Sequence, residues 1–343
     1  MKSTEIPATM MDIAREAQVS AATVSRVMNG NYPVKEGIKL RVLAAAQQLG
    51  YTPRQKSPAS ASLDIGVIIP NISNPFYPQT ILGVENVALM HNSNLLVCST
   101  LHDKGREQRY LRSLYEKNVR GIIISSADME ASHLSEYITK GMSFVLLDQK
   151  VENVDCPFIN FDARKGARMA VKALFEMGHR QIALASTPIT RWTRSEILAG
   201  YREEIEACAL PDAGLVFVPE NEKDVVLSDY EFTMGLQLCR QFLQSGKKCT
   251  AVICVNDMVA CGFMQGLQRE GIKVPQDISV IGFDDIPLAS LVYPALSTIR
   301  HQTYECGKLA ATMLFNALQS KEDLALTVNL EPTLVMRESV RRI

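Results

Sequence analysis

Apolar residues in the first fifty positions recur at helical spacing, whereas from Ile65 onward they gather into short continuous runs. That change of period divides the chain. Met10, Ile13, Ala14 and Ala17 predict one buried stripe on a helix that opens at the capping box Thr9-Met10-Met11-Asp12 and ends at Gln18-Val19. Ser20 caps a second helix, with Val24, Val27 and Met28 turned inward and Ala21, Ala22, Ser25, Arg26 and Asn29 outward. After a turn at Gly30-Asn31-Tyr32-Pro33, a third helix from about Lys35 to Leu49 buries Ile38, Val42, Ala45, Ala46 and Leu49 and closes with Gly50. Two short helices joined by a tight turn, with a third in support, make an all-α helix-turn-helix head. Any small three-helix bundle would show such stripes. What distinguishes this one is an outer face of small, polar side chains with a single arginine. Such a face enters a major groove about 12 Å wide, where Arg26 presents a fork to guanine while Thr23 or Ser25 reaches phosphate.

The body alternates apolar runs with helical stretches, the signal of parallel sheets with right-handed crossovers. Strands are expected at Ile65–Ile69, Asn94–Ser99, Gly121–Ser125, Ser143–Leu147, Gln181–Ala185, Leu215–Val218, Ala251–Val255 and Ser279–Gly282, with a final one near Leu334–Met336. Runs such as Ile122-Ile123-Ile124 suit strands covered on both faces. The fold class is therefore a three-helix head followed by α/β, as two doubly wound parallel-sheet lobes. Ligands of such sheets bind beyond the C-terminal ends of the strands.

Composition removes several classes. With 343 residues, 47% hydrophobic and 21% charged, the chain is neither disordered nor a disulfide-stapled miniprotein. No apolar run approaches the roughly 20 residues of a membrane span, and Met1–Pro7 leads into charged helical sequence rather than a signal core, so a cytoplasmic protein is expected. The eight cysteines include no C-x-x-C pair and read as buried thiols. The net charge of −1 hides an asymmetry: residues 1–56 carry eight Lys and Arg against four Asp and Glu, and the remainder is acidic. Phosphate-binding, zinc-protease and hydrolase-elbow motifs are absent, and the five histidines lack metal-ligand spacing. No catalytic residues, cofactor or metal are expected.

The string Asp12-Ile13-Ala14 with Val19-Ser20-Ala21-Ala22-Thr23-Val24-Ser25-Arg26-Val27-Met28-Asn29, followed by Leu49-Gly50-Tyr51-Thr52-Pro53, resembles the DNA-binding signature of the LacI/GalR family of bacterial transcription regulators. The resemblance implies that Ala21, Ala22 and Arg26 face base edges, with Thr23, Ser25 and Asn29 near the backbone and Thr9, Ser20 and Tyr51 also among the DNA-binding residues. It makes residues 1–53 the head and 54–63 a linker. There the chain departs from the family, whose members usually carry a hinge helix with an Ala-Arg-x-Leu core. Pro58, Ser60 and Ser62 disfavour a helix, so Leu63 either substitutes as a minor-groove wedge or, as favoured here, precedes the first strand while the linker stays extended. Arg54 and Lys56 still attract phosphate.

The body resembles the family's periplasmic-binding-protein-like effector domain through Ile65–Pro70 with Asn74-Pro75-Phe76-Tyr77, Asn160-Phe161-Asp162, Gly178-His179-Arg180, Asn256-Asp257 and Val274–Asp285. The implied lobes are about 64–161 with 296–324, and 162–295 with 325–343, the chain crossing near Asp162, Tyr293–Thr298 and Leu324–Ala325. Carried over, the cleft is lined by Phe76, Tyr77, Asp148, Asp162, Arg191, Trp192, Thr193, Arg194, Tyr230, Asn256, Asp257 and Asp284. Aromatic rings suit a sugar's apolar face, and carboxylates and arginines its hydroxyls. Most members have an arginine where this chain has Ile197; Arg191 and Arg194 either compensate, favouring a sugar acid or sugar phosphate, or Arg194 is a solvated helix charge.

The combined expectation is a homodimeric repressor on a pseudo-palindromic DNA operator, controlled by a sugar-type effector and without the tetramer-forming helix of some members. A transport receptor, an enzyme on the same fold, and a regulator without effector control are the alternatives.

Overall fold

The computed structural model describes residues 9–29, 34–49, 51, 63–128, 130, 132–152, 154–210, 215–219, 229–320 and 326–343. The chain forms two compact units, residues 1–61 and 62–343.

In the first unit, α1 (Met10–Glu16), α2 (Ala21–Asn29) and α3 (Glu36–Gln48) enclose Ile13, Ala14, Ala17, Val24, Val42, Ala45 and Ala46. Thr9 caps α1 as a full capping box with Asp12. The Thr23 backbone N–H donates to Ser20 Oγ at 3.2 Å, so Ser20 begins α2 as its residue type requires. Met10 and Leu49 depart from expectation: both are exposed, because the apolar stripe outruns this small core at the helix ends.

In the second unit, a first run comprises β1 (Ile65–Ile69), α4 (Phe76–Met90), β2 (Leu95–Ser99), α5 (Lys104–Glu116), β3 (Gly121–Ile124), α6 (Ser132–Thr139), β4 (Ser143–Leu147) and β5 (Phe158–Asn160). The chain then passes from the first sheet to the second around Asp162. The second run is α7 (Ala163–Glu176), β6 (Ile182–Ala185), α8 (Trp192–Ala207), β7 (Val216–Phe217), α9 (Tyr230–Gln244), β8 (Ala251–Cys254), α10 (Asp257–Arg269), β9 (Ser279–Asp284), α11 (Pro287–Leu291) and β10 (Ser297–Arg300). Finally α12 (Thr303–Ser320) and β11 (Thr327–Asn329) return to the first lobe, and β12 (Thr333–Val335) to the second.

The first sheet has the order β11-β5-β4-β3-β1-β2 and is parallel throughout. The second runs β12-β10-β9-β8-β6-β7, with β12 alone antiparallel, on β10. Val67 and Ile69 pack on one face of the first sheet and Ile68 on the other, as do Ile123 and its neighbours Ile122 and Ile124. That two-sided burial explains the unbroken apolar runs.

Two crossings differ from those expected. β10 pairs with β9 in the second sheet, so the crossing expected near Tyr293–Thr298 lies at residues 301–302. β11 pairs with β5 in the first sheet, which places the last crossing between Asn329 and Thr333 rather than at Leu324–Ala325, residues that lie outside those described. The lobes are thus about 64–161 with 302–329, and 162–301 with 330–343. The helix α12 belongs to the first lobe: a Cβ on Gly307 would stand 2.0 Å from the Thr80 carbonyl oxygen of α4, so the two backbones touch.

Candidate effector cleft and DNA-reading helix

On α2, Val24 is buried while Ala21, Ala22 and Arg26 are exposed on the opposite side, and Thr23 and Ser25 lie between. The expected reading face therefore exists as a surface. Ser20 Oγ and Thr23 Oγ1 are 2.9 Å apart, and Thr9 is engaged in its cap, so these hydroxyls serve the fold of the head first. Tyr51 is half-buried against the core of the head. Arg54, Lys56, the side chain of Asn29 and the linker as far as Ser62 lie outside the described residues; Leu63 is exposed ahead of β1.

The two parallel sheets present their C-terminal strand ends to each other, and contacts between the lobes mark the seam. Asn74, following β1, donates from Nδ2 to Glu231 Oε1 at 3.1 Å. Arg191, which precedes α8, donates from Nη2 to Ser125 Oγ at 2.9 Å, just beyond β3. The Trp192 backbone N–H donates to Gln149 Oε1 at 3.2 Å, and its indole meets Phe158 edge-on at 5.6 Å. Between these contacts lies a cavity of about 520 Å³ whose lining includes His102, Lys104, Asp128, Arg191, Arg194 and Tyr230. Tyr77 has its hydroxyl beside Arg191, and the Phe76 ring stacks edge-on with Phe161 at 5.6 Å.

The cleft holds polar atoms that the protein leaves without partners. Among the described residues, His102 Nε2 and Arg191 Nε, which line the cavity, are buried and unbonded, as are Thr193 Oγ1, Asn256 Nδ2, His301 Nδ1, Thr80 Oγ1 and Asn160 Oδ1. Orphaned polar atoms cost free energy unless something completes them, and their collection at strand ends marks a binding surface. Backbone strain gathers at the same ends: Asp148 after β4, His102 after β2 and Asp284 at the end of β9 have φ of 52°, 60° and 106°.

Electrostatics set the roles of the ionisable groups. Desolvation pushes Asp148 up to about 6 against the pull of Arg191 and Arg194. Burial, aided by neighbouring Asp257, raises Asp284 well above the usual carboxylate range. His102 is depressed to about 3 and His301 to about 4, first by burial and then by the cationic arginines, so both are neutral at physiological pH.

Three of the expected cleft residues have other employment. Asp257 is fully buried, with Oδ1 accepting from Thr298 Oγ1 at 2.6 Å and Oδ2 from the Ile286 backbone N–H at 2.9 Å; it staples β10 and α11 to α10 instead of facing a ligand. Asp162 caps α7 through the Lys165 backbone N–H at 3.0 Å. Trp192 bridges the lobes rather than offering a free ring face. Ile197 is buried in the core of the second lobe, so nothing reaches the cleft from that position, whereas Arg191 and Arg194 precede it by two turns and one turn. The solvated-charge alternative for Arg194 is set aside: Nε donates to Thr187 Oγ1 at 3.1 Å and Nη1 to the Val255 carbonyl at 3.4 Å. Sequence reasoning missed His102, His301, Lys104, Asp128 and Glu231. The two histidines follow β2 and β10, the places where such sheets bind ligands, and that rule applied to every strand end would have found them.

A family model described as bacterial regulatory proteins, lacI family, matches residues 9–54, and one described as a periplasmic binding protein-like domain matches residues 171–340. The ribose operon repressor of Haemophilus influenzae is 33% identical over 339 residues, spanning 97% of this chain and 98% of that one. The chain belongs to the LacI family. Among solved structures, a ribose-bound LacI family regulator from Enterococcus faecium covers 82% of this chain and 99% of its own at 26% identity and a TM-score of 0.73. The lac repressor dimer bound to operator and an anti-inducer covers 98% of this chain and 100% of its own, at 25% identity and a TM-score of 0.72. This LacI-family protein is a DNA-binding transcription regulator with a small-molecule effector, and not an enzyme.

One structural consequence can be tested directly. Burial raises Asp257 to about 8 against the stabilising bonds from Thr298 and Ile286. The unfolded chain releases this proton near pH 4 and the folded chain retains it to about 8, so stability from this site falls across that window as pH rises. An asparagine side chain at this position keeps both contacts without charge, its amide oxygen accepting from the Ile286 backbone N–H and its amide nitrogen donating to Thr298 Oγ1. Asp257→Asn is therefore expected to melt above the wild type at pH 8, with the gap closing toward pH 4 in a series of thermal melts. A deficit that grows with pH would show that the fold needs the ionised carboxylate.

Proposed function

We propose that the protein is a cytoplasmic, homodimeric repressor that binds a pseudo-palindromic operator through α2 and takes a sugar or sugar derivative between its lobes. The observation that carries the effector half is one cavity lined from both lobes in which His102 Nε2 and Arg191 Nε are buried without partners. A polyhydroxylated ligand supplies the alternating donors and acceptors that these groups lack, and the ribose carried by the Enterococcus faecium regulator supports that class. The remaining cleft residues of the reading are Phe76, Tyr77, Asp148, Arg194, Tyr230 and Asp284.

Ligand control follows from the seam. A compound lodged between Arg191 and Ser125 alters how closely the lobes approach, and it can shift the regulator only by its differential affinity for the two arrangements. Selection of random duplexes on the purified protein tests the DNA half: enrichment of a two-fold sequence supports it, and enrichment of single half-sites or of nothing overturns it.

Dimerisation doubles the few base contacts one head can make. Leu291 and Tyr293 stand exposed beside a groove of about 960 Å³ whose lining includes Phe232, Met264, Ile272 and Val292, a partly apolar surface suited to a second copy. Tyr293→Asp is expected to shift the mass measured by light scattering from dimer toward monomer and to weaken operator binding with it. An unchanged dimer places the interface elsewhere.

A further inference from the structure

We infer that the effector is a sugar acid, whose carboxylate is received by Arg191 and Arg194 while its hydroxyls face the carboxylates and histidines of the cleft. This rests on the reading of the cleft as a sugar-type site.

The argument begins with unmatched cations. Arg191 is the N-cap residue of α8 and Arg194 lies in its first turn, and both line the cavity. The bonds that hold them all come from neutral groups: Ser125 Oγ for Arg191, and Thr187 Oγ1 with the Val255 carbonyl for Arg194. Among the described residues, no carboxylate makes an ion pair with either. Arg191 Nε is buried with no acceptor at all. Burial first, and then the neighbouring Arg191 guanidinium, lower Arg194 below the usual arginine range. Removing charge from water without a hydrogen-bonded counterion is expensive, so the pair is built for an anion that arrives. A planar carboxylate matches the guanidinium fork in two parallel bonds.

The surrounding acids do not fill that place. Glu231 accepts from Asn74 and Asp128 is paired with Lys104 at 2.7 Å, while Glu130 and Glu152 also line the cavity without an ion pair to either arginine. Burial and neighbouring Asp257 raise Asp284 well above the usual carboxylate range, which weakens it as a counterion for Arg194. Asp148 supplies one negative charge to two guanidinium groups. One further negative charge is what a carboxylate carries, whereas a phosphate brings up to two and three acceptor oxygens to a corner with few free donors. The neutral rings of His102 and His301, with an unbonded nitrogen each, and the Asn256 amide are hydroxyl partners.

Titration calorimetry on the full-length dimer tests this with matched series: glucose, glucuronate, gluconate and glucose 6-phosphate, and galactose, galacturonate and galactonate. The expected result is that at least one acid binds tenfold or more tightly than its neutral parent, with affinity falling as salt rises. Arg191→Gln and Arg194→Gln are expected to remove that preference while the melting temperature stays near wild type. Equal or tighter binding of a neutral sugar overturns the inference and leaves the sugar-type cleft intact. Tighter binding of the phosphate overturns the carboxylate assignment. No binding across both series overturns the sugar-type reading together with the inference. Should either variant fold poorly, the preference and salt dependence of the wild type decide alone.

Discussion

Arg26→Ala is expected to weaken operator binding about 5- to 150-fold, the equivalent of about 1–3 kcal/mol for a lost bidentate base contact. The residue stands on the exposed side of α2 one turn beyond Ala22, and the exposed alanines beside it offer only apolar contact, for instance to a thymine methyl. Base hydrogen bonding therefore concentrates on one side chain, and the loss falls on specific more than on non-specific binding. Val24, on the opposite side of the helix, carries the packing of α2, so the alanine variant keeps its fold. Fluorescence anisotropy with the selected duplex and a scrambled one measures both affinities. An equal fall on the two duplexes would assign Arg26 to phosphate, and no fall would move the reading face away from α2.

Gly262→Leu is expected to cause a large loss of stability, on the order of 1–3 kcal/mol or more from overpacking. A Cβ at Gly262 would lie 2.0 Å from the Phe232 carbonyl oxygen, and one at Gly235 would lie 2.2 Å from that of Val259. The helices α9 and α10 thus cross backbone to backbone, and neither can yield by rotating a side chain. The crossing also positions the cleft: Tyr230 and Glu231 open α9, and Asn256 caps α10 by accepting from the Val259 backbone N–H at 2.8 Å. A lower melting temperature and a weaker effector response should appear together. A variant that melts like the wild type would mean the helices separate freely, contrary to this packing.

The sequence revealed the parts of the fold whose burial is two-sided. Ile65–Ile69, Gly121–Ile124 and Ala251–Cys254 are covered on both faces, so nothing polar interrupts them. β10 escaped notice because Ser297 and Thr298 are polar yet fully buried, their hydroxyls tied to Arg337 and Asp257. β5 and β11 are three residues each, too short for a period to register. Those omissions displaced two lobe crossings. Asp257 could not be read as structural, since its partners lie 29 and 41 residues away along the chain. The family pattern nominates Arg191, Thr193, Tyr230 and Asn256 relative to strand ends; it does not nominate His102 and His301, because a lone histidine after a strand carries no pattern.

Coupling between cleft and operator is the central claim, and one titration measures it. The selected duplex is bound to the dimer, and its affinity is followed by anisotropy as each neutral sugar, sugar acid and sugar phosphate is added. One compound should change operator affinity by roughly 5- to 150-fold, the usual range of coupling free energies, with no effect on the scrambled duplex. Operator affinity unmoved by every compound, including any that calorimetry shows bound in the cleft, would contradict effector control of this regulator.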